Sequence, residues 1–235
     1  MNNKTLNIIG GGTFSHVRNH LSLTIPAFGT TARQLATLSE LKFDNLDINL
    51  YLTKMADIKS NLVTNEDIAE LTKKLVEDLN TKIIIFNAAM CDFNGTILDT
   101  PSGKYETRLK TDDGVVSMTL KPSEKIIKTI RKTRKDIFLV AFKTTCGATE
   151  QEQYLAGLNL LKKNSCNLVL ANDTKTRLNM IITPEEAKYH VTTDRREALT
   201  QLIDMTYHRS HLSFTRATVV DGSPIDWNSD LVPQS

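Results

Sequence analysis

Cysteine is scarce in this sequence. Cys91, Cys146 and Cys166 are odd in number and widely spaced, with no CxxC pair. This argues against a disulfide framework and a zinc cluster, and it fits a reducing cytosol. Long apolar runs are also missing: nothing approaches the roughly 20 residues needed to cross a bilayer. The opening Met1-Asn2-Asn3-Lys4, followed by a short run from Leu6 to Ile9, lacks the apolar region of a secretory signal. The expectation is a soluble chain in the cytoplasm with no membrane partner. Charge of one sign is lacking too, since 29 basic residues face 27 acidic ones. That balance gives no support to a nucleic-acid partner, so positive charge that meets phosphate must be local. Neither GxGxxG nor GxxxxGK[ST] occurs, which removes the strongest signals for a dinucleotide or P-loop site. The pairs His16/His20 and His208/His211 have helix-face spacing but no third ligand, so no metal site is expected.

What is present is an alternation of two patterns. Short, branched apolar runs recur at Leu6-Asn7-Ile8-Ile9, Ile48-Asn49-Leu50-Tyr51-Leu52, Ile83-Ile84-Ile85-Phe86, Ile137-Phe138-Leu139-Val140-Ala141-Phe142 and Leu168-Val169-Leu170-Ala171. Runs of this kind suit strands covered on both faces. Between them, residues 27–41, 65–79, 122–134 and 149–163 place apolar side chains at helical steps. The alternation predicts an α/β fold, a Rossmann-like, doubly wound and mainly parallel sheet reached by right-handed crossovers. A polar, glycine-containing stretch, residues 94–119, interrupts it as a flap, with a turn signal at Asp112-Asp113-Gly114. One domain is expected over residues 1–222, followed by a polar tail over 223–235.

In such sheets ligands bind beyond the carboxyl ends of the strands, where strand order reverses. The first strand is followed by Gly10-Gly11-Gly12-Thr13, in which the bare backbone of Gly11 and Gly12 can approach a phosphate. The third is followed by Asn87-Ala88-Ala89-Met90-Cys91-Asp92-Phe93, where Ala88 and Ala89 leave room for a planar ligand and Asp92 can accept a hydrogen bond or cap a helix. The fourth and fifth end in Phe142-Lys143-Thr144-Thr145 and Ala171-Asn172-Asp173-Thr174. Polar groups gathered at several strand ends point to a crevice.

These residues resemble the phosphopantothenoylcysteine synthetases of coenzyme A biosynthesis in motif order. Gly10-Gly11-Gly12-Thr13 is similar to that family's opening turn, and Ala88-Ala89-Met90-Cys91-Asp92-Phe93 to its Ala-Ala-Val-Ala/Ser-Asp-Tyr/Phe segment. Arg108-Leu109-Lys110 before Asp113-Gly114 resembles its lysine-rich flap. Leu139-Val140-Ala141-Phe142 resembles its next strand, and Lys162-Lys163-Asn164 through Asn172-Asp173 its Lys-(Gly/Asn)…Ala-Asn-Asp stretch. The resemblance implies a standalone carboxylate–amine ligase that uses a nucleoside triphosphate, CTP or ATP, with Mg²⁺ and forms an acyl-nucleotide. It further implies a phosphopantothenate-like acid, a cysteine-like amine and a homodimer, the segment after Leu98 crossing to the partner. Carried over by motif, Gly11, Gly12, Ala88, Ala89, Asp92, Asn172 and Asp173 belong to the nucleotide site, Phe142 borders base or ribose, and Lys162 and Lys163 face phosphate. Arg108 and Lys110, read as alternating along a strand, are the expected catalytic cations.

The chain also departs from that pattern. Bacterial members carry an asparagine that contacts the acyl intermediate, and here the stretch reads Ile25-Pro26-Ala27-Phe28-Gly29. A second reading is therefore a diverged protein that binds or sequesters a nucleotide without ligating. A nicotinamide-dependent oxidoreductase is a third, placed last because GxGxxG and a paired acidic residue about 20 positions on are both absent.

Overall fold

Aliphatic runs with little polar interruption need cover on both faces, and all five become parallel strands of one sheet. The structure, a computed structural model, describes residues 4–97 and 100–217. In chain order the elements are β1 (Thr5–Gly12), β2 (Phe14–Arg18), β3 (Leu21–Thr24), α1 (Thr30–Lys42), β4 (Asp47–Leu52), α2 (Asn65–Glu77), β5 (Thr81–Ala89) and β6 (Phe93–Ile97). There follow β7 (Met118–Pro122), α3 (Ile127–Thr133), β8 (Phe138–Thr145), α4 (Glu150–Asn164), β9 (Leu168–Asp173), β10 (Asn179–Ile182), β11 (Lys188–Thr192) and α5 (Arg195–Ala217).

The central sheet has seven strands in the order β11-β10-β9-β8-β5-β1-β4. Its β4, β1, β5, β8 and β9 are parallel, and β10 and β11 extend it antiparallel. Alternate residues of a strand face opposite sides, which builds two cores. Leu6, Ile8, Ile85, Val140 and Leu170 pack with Leu35 of α1 and with Leu199 and Leu202 of α5. Ile9, Ile84, Leu139 and Val169 pack with Ile68 of α2, Ile130 of α3 and Leu161 of α4. Two helices start as their sequences require: Thr64 caps α2 and Thr149 caps α4, each in a reciprocal capping box with the acid three residues on.

The doubly wound, mainly parallel sheet is therefore present as expected, with three additions. The β2–β3 hairpin, the β10–β11 extension and the long α5 carry periods too short or too polar to stand out in the sequence. Pro122 does not open a helix; it ends β7, paired with Phe93 on a two-stranded ribbon where its missing N–H is tolerated. The flap is an arm formed by β6 and β7. The far end of its first strand is tied down by the buried Arg18, which donates to the carbonyls of Ile97 (3.1 Å) and Pro101 (2.9 Å) and to Thr100 Oγ1. Arg108 and Lys110 lie in an irregular, exposed segment rather than a strand, and residues Thr111–Asp113 form a 3₁₀ turn before Gly114. The expected strand alternation of these two cations is thus corrected, because no partner strand pairs with residues 101–110. Among the described residues no helix is long and apolar enough to cross a membrane. The expected tail, 223–235, lies outside the described residues.

Candidate functional site

The chain leaves β1 for β4 on one side and returns to β5 on the other, so strand order reverses between β1 and β5. The carboxyl ends of these strands are where an open α/β sheet forms its crevice. The alternation that builds the two cores also sorts the residues at this end. Gly10, Gly12, Asn87, Ala89, Phe142, Thr144, Asn172 and Asn179 fall on the α1/α5 face, and Gly11, Thr13, Ala88, Thr145 and Asp173 on the α2/α4 face. The residues expected to contact nucleotide are therefore divided between two faces.

On the α2/α4 face Thr13, Asn65, Cys91 and Asp173 are satisfied within the chain, while Thr53 Oγ1 and Gln153 Oε1 are buried with no partner among the described residues. Thr13 Oγ1 donates to Asn65 Oδ1 (2.6 Å) and accepts from the amide of Cys91 (2.9 Å), while Asn65 Nδ2 donates to the Cys91 carbonyl (2.8 Å). This buried ring of bonds fastens the ends of β1 and β5 to the start of α2. Asp173, 2% exposed, accepts from the amides of Thr176 (2.8 Å), Lys175 (2.9 Å), Gly147 (3.0 Å) and Ala148 (3.0 Å) and from Thr145 Oγ1 (2.8 Å). Backbone amides, that of Thr176 foremost, hold its carboxyl well below the usual carboxylate range. Asp173 thus pins the β8–α4 and β9–β10 loops together, and its oxygens are already committed.

The α1/α5 face is different. The glycines lie inside β1 rather than in a turn beyond it. A β-carbon at Gly12 would lie 2.1 Å from the Ile25 carbonyl oxygen, and the Gly12 amide donates to Ala27 O at 2.8 Å. Gly11, at φ +100°, lies against Thr53 on the other face. Close packing of loops on β1 accounts for these residues, so the expected Gly12 amide contact with phosphate is already taken by the chain itself. Phosphate-ready amides lie instead at the start of α1, where Gly29 provides no side-chain cap and the first turn has no acid. Further along, the half-buried Asn87 side chain makes no hydrogen bond among the described residues, and the Asn172 side chain contributes only its Oδ1, to Thr144 at 3.3 Å. Arg195 at the start of α5 lies over the Phe142 ring, 5.8 Å from its centroid. Its Nη1 donates to Asn179 Oδ1 at 2.8 Å, and burial pushes its pKa below the usual guanidinium value. Asn87, Asn179 and Arg195 were missed in the sequence. Asn87 had a signal, a lone polar residue closing an aliphatic run; Arg195 had none, being one of three charges in Asp194-Arg195-Arg196.

Three other expectations change. Lys162 and Lys163 lie in the last turn of α4. A crossover helix that starts beyond β8 and returns to the beginning of β9 ends at the opposite edge of the layer, about 20 Å from where it started. Lys162 there pairs with Glu186 at 2.5 Å, in the β10–β11 turn, so these lysines do not face the crevice. Asp92 caps no helix: it leads into β6, is more than half exposed and forms an ion pair with Lys125 at the foot of the arm. The pair His16/His20 shares no helix, since His16 belongs to β2. No group of three or more His, Cys, Asp or Glu side chains among the described residues is placed to hold a metal ion.

A family model described as the DNA/pantothenate metabolism flavoprotein C-terminal domain matches residues 40–206. The chain belongs to this family. The matched span contains Asn87, Phe142, Asn172 and Arg195, and so most of the open face of the crevice. The coenzyme A biosynthesis bifunctional protein CoaBC of Thermococcus kodakarensis is 25% identical over 146 residues, 60% of this chain and 34% of that protein. The chain thus spans about a third of the length of that curated relative. Among solved structures, the DNA/pantothenate metabolism flavoprotein from Streptococcus pneumoniae matches with a TM-score of 0.73 at 19% identity, covering 88% of this chain and 100% of that one. A Cab2 mutant in complex with phosphopantothenate-cysteine matches at 0.65 and 14% identity, over 91% and 88% of the two chains. These structural likenesses establish that the flavoprotein C-terminal fold is shared.

Proposed function

We propose that the chain is a nucleotide-dependent carboxylate–amine ligase of the phosphopantothenate–cysteine type. The observation that carries this reading is the contrast at the strand ends: on the α1/α5 face Asn87, Asn172 and Arg195 keep hydrogen-bonding capacity that the chain does not use. Family membership and the relatives' names supply the reaction class, and the open row supplies the place for it. In the reaction, a carboxylate oxygen of the acid attacks the α-phosphorus of the triphosphate, and the bond to pyrophosphate breaks. The amine nitrogen then attacks the acyl carbon, and nucleoside monophosphate leaves.

In this reading the triphosphate lies against the start of α1, Ala89 and Asn87 flank the ligand, and Phe142 and Asn172 border its nucleoside. Asp173 and the Thr13–Asn65–Cys91 ring act one step removed, holding the loops and strand ends in place. A Mg²⁺ ion bound to the triphosphate would supply positive charge against the phosphates, and no cluster of His, Cys, Asp or Glu among the described residues would hold it apart from the nucleotide. The arm carries the cations Arg108 and Lys110, whose role is to stabilise charge that develops at phosphorus, and its closure would keep water from the acyl-nucleotide. Exposed Tyr105, Val115 and Leu120 give the arm an apolar surface that a second copy can cover.

Pyrophosphate release tests the reading: each nucleoside triphosphate with Mg²⁺ is offered with phosphopantothenate and cysteine. Steady turnover that requires both the acid and the amine is expected. Tight nucleotide binding without pyrophosphate release would replace ligation by sequestration.

A further inference from the structure

Arg195 is a half-buried guanidinium to which the fold gives no counter-charge among the described residues. Among the described residues its only hydrogen-bond acceptor is Asn179 Oδ1, at 2.8 Å. Asn179 is 2% exposed, and its amide is fixed to the carbonyls of Arg177 (2.7 Å) and Thr192 (3.3 Å), so the acceptor that aims Arg195 cannot turn away. Nearby carboxylates are engaged elsewhere: Asp194 accepts from the amides of Arg196 and Glu197, and Glu197 accepts from Thr192 Oγ1. A guanidinium stacked on Phe142, with Nε and Nη2 unmet, is a fork of donors waiting for acceptors.

We propose that Arg195 reads the edge of the nucleobase and selects bases that carry a ring carbonyl (cytosine, uracil or guanine) over adenine. The inference rests on the crevice being the nucleotide site. Phosphates are drawn to the start of α1, which packs on β1 where Ala32 meets Gly10. Phe142 and Arg195 stand over β8, two strands away, about 10 Å, the span from the phosphates of a nucleotide to its base. A guanidinium only donates. Ring carbonyls only accept, whereas adenine has no carbonyl and sets its amino donor beside N1 and N7.

Calorimetric titration of the full chain with CTP, UTP, GTP, ATP and inorganic tripolyphosphate, all with Mg²⁺, tests the assignment in wild type, Arg195→Met and Arg195→Lys. Wild type should prefer carbonyl-bearing bases over ATP by roughly tenfold or more. Arg195→Met should lose that preference with tripolyphosphate affinity unchanged, and Arg195→Lys, which keeps the charge without the planar fork, should lose it too. A loss shared by all five ligands and restored by lysine would make Arg195 a phosphate contact and overturn the proposal. So would a wild type without the preference, or a preference that survives in both variants. If wild type binds no triphosphate at all, the nucleotide reading fails and the base assignment falls with it.

Discussion

The two faces of the sheet, compared at the same carboxyl end, differ in how one cluster of polar side chains on each is met by hydrogen bonds. On the α2/α4 face Asp173 accepts five bonds, and Thr13, Asn65 and Cys91 close a ring. On the α1/α5 face, among the described residues, the Asn87 side chain makes none, the Asn172 side chain leaves its amide donors unused, and Arg195 leaves most of its fork unused. These three side chains are only partly buried, so water meets their spare donors and acceptors in the free chain, and a ligand can take its place. Polarity at a strand end is therefore a poor guide to a site; unmet polarity is a better one.

The largest expected effect falls on the closed face. Replacing Asp173 by Asn removes the charge that organises both loops, and a marked drop in melting temperature is expected at neutral pH. The carboxyl is held below its usual range in the folded chain, so its contribution is fully present above the unfolded pKa, about 4, and is lost as pH falls toward the folded value. The gap in melting temperature between wild type and Asp173→Asn should accordingly narrow as pH drops below about 4. A constant gap from pH 7 to 3 would deny the carboxylate its structural role.

The open face should respond in the other currency. Asn87→Ala removes a side chain with no internal partner, so stability measured by urea unfolding should move by no more than about 0.5 kcal/mol. Nucleotide affinity should fall roughly tenfold, the cost of one hydrogen bond to a charged or strongly polar group. Loss of stability with unchanged affinity would erase the distinction between the faces.

The smallest effect belongs to the far end of the sheet. Lys162 and Glu186 are both about half exposed, at 55% and 52%, and such surface pairs contribute about 0–1 kcal/mol. Lys162→Met should leave nucleotide affinity unchanged by calorimetry, while a clear loss would return this lysine to the phosphate site.

Much of the architecture was legible in the residues, and particular side chains show why. Ile83-Ile84-Ile85-Phe86 is apolar on both faces, which only a strand covered by helices on both sides can satisfy. Thr64 with Asp67 and Thr149 with Glu152 set helix starts through contacts three residues apart. By contrast β10 is four residues long and β11 is largely exposed, so neither announces itself by period. The facing of the strand-end residues was legible only in part. Phe142 and Asn172 follow strands and fall on the open face, yet Asp173, adjacent in sequence, turns to the closed one.

What the sequence determined by itself is local and periodic: which runs become strands and helices, where α2 and α4 begin, and, because a parallel sheet gathers its strand ends, that several polar residues meet there. Tertiary structure decided the rest. Lys162 belongs to the opposite end of the sheet because its helix runs antiparallel to the strands it connects. Gly12 serves a loop instead of a phosphate because the Ile25 carbonyl and Ala27 occupy the space above it. Arg195 reaches Phe142 from 53 positions away in the chain, because α5 packs back across the sheet. Which donors remain unmet is a property of all the contacts around them, and no stretch of sequence contains those contacts.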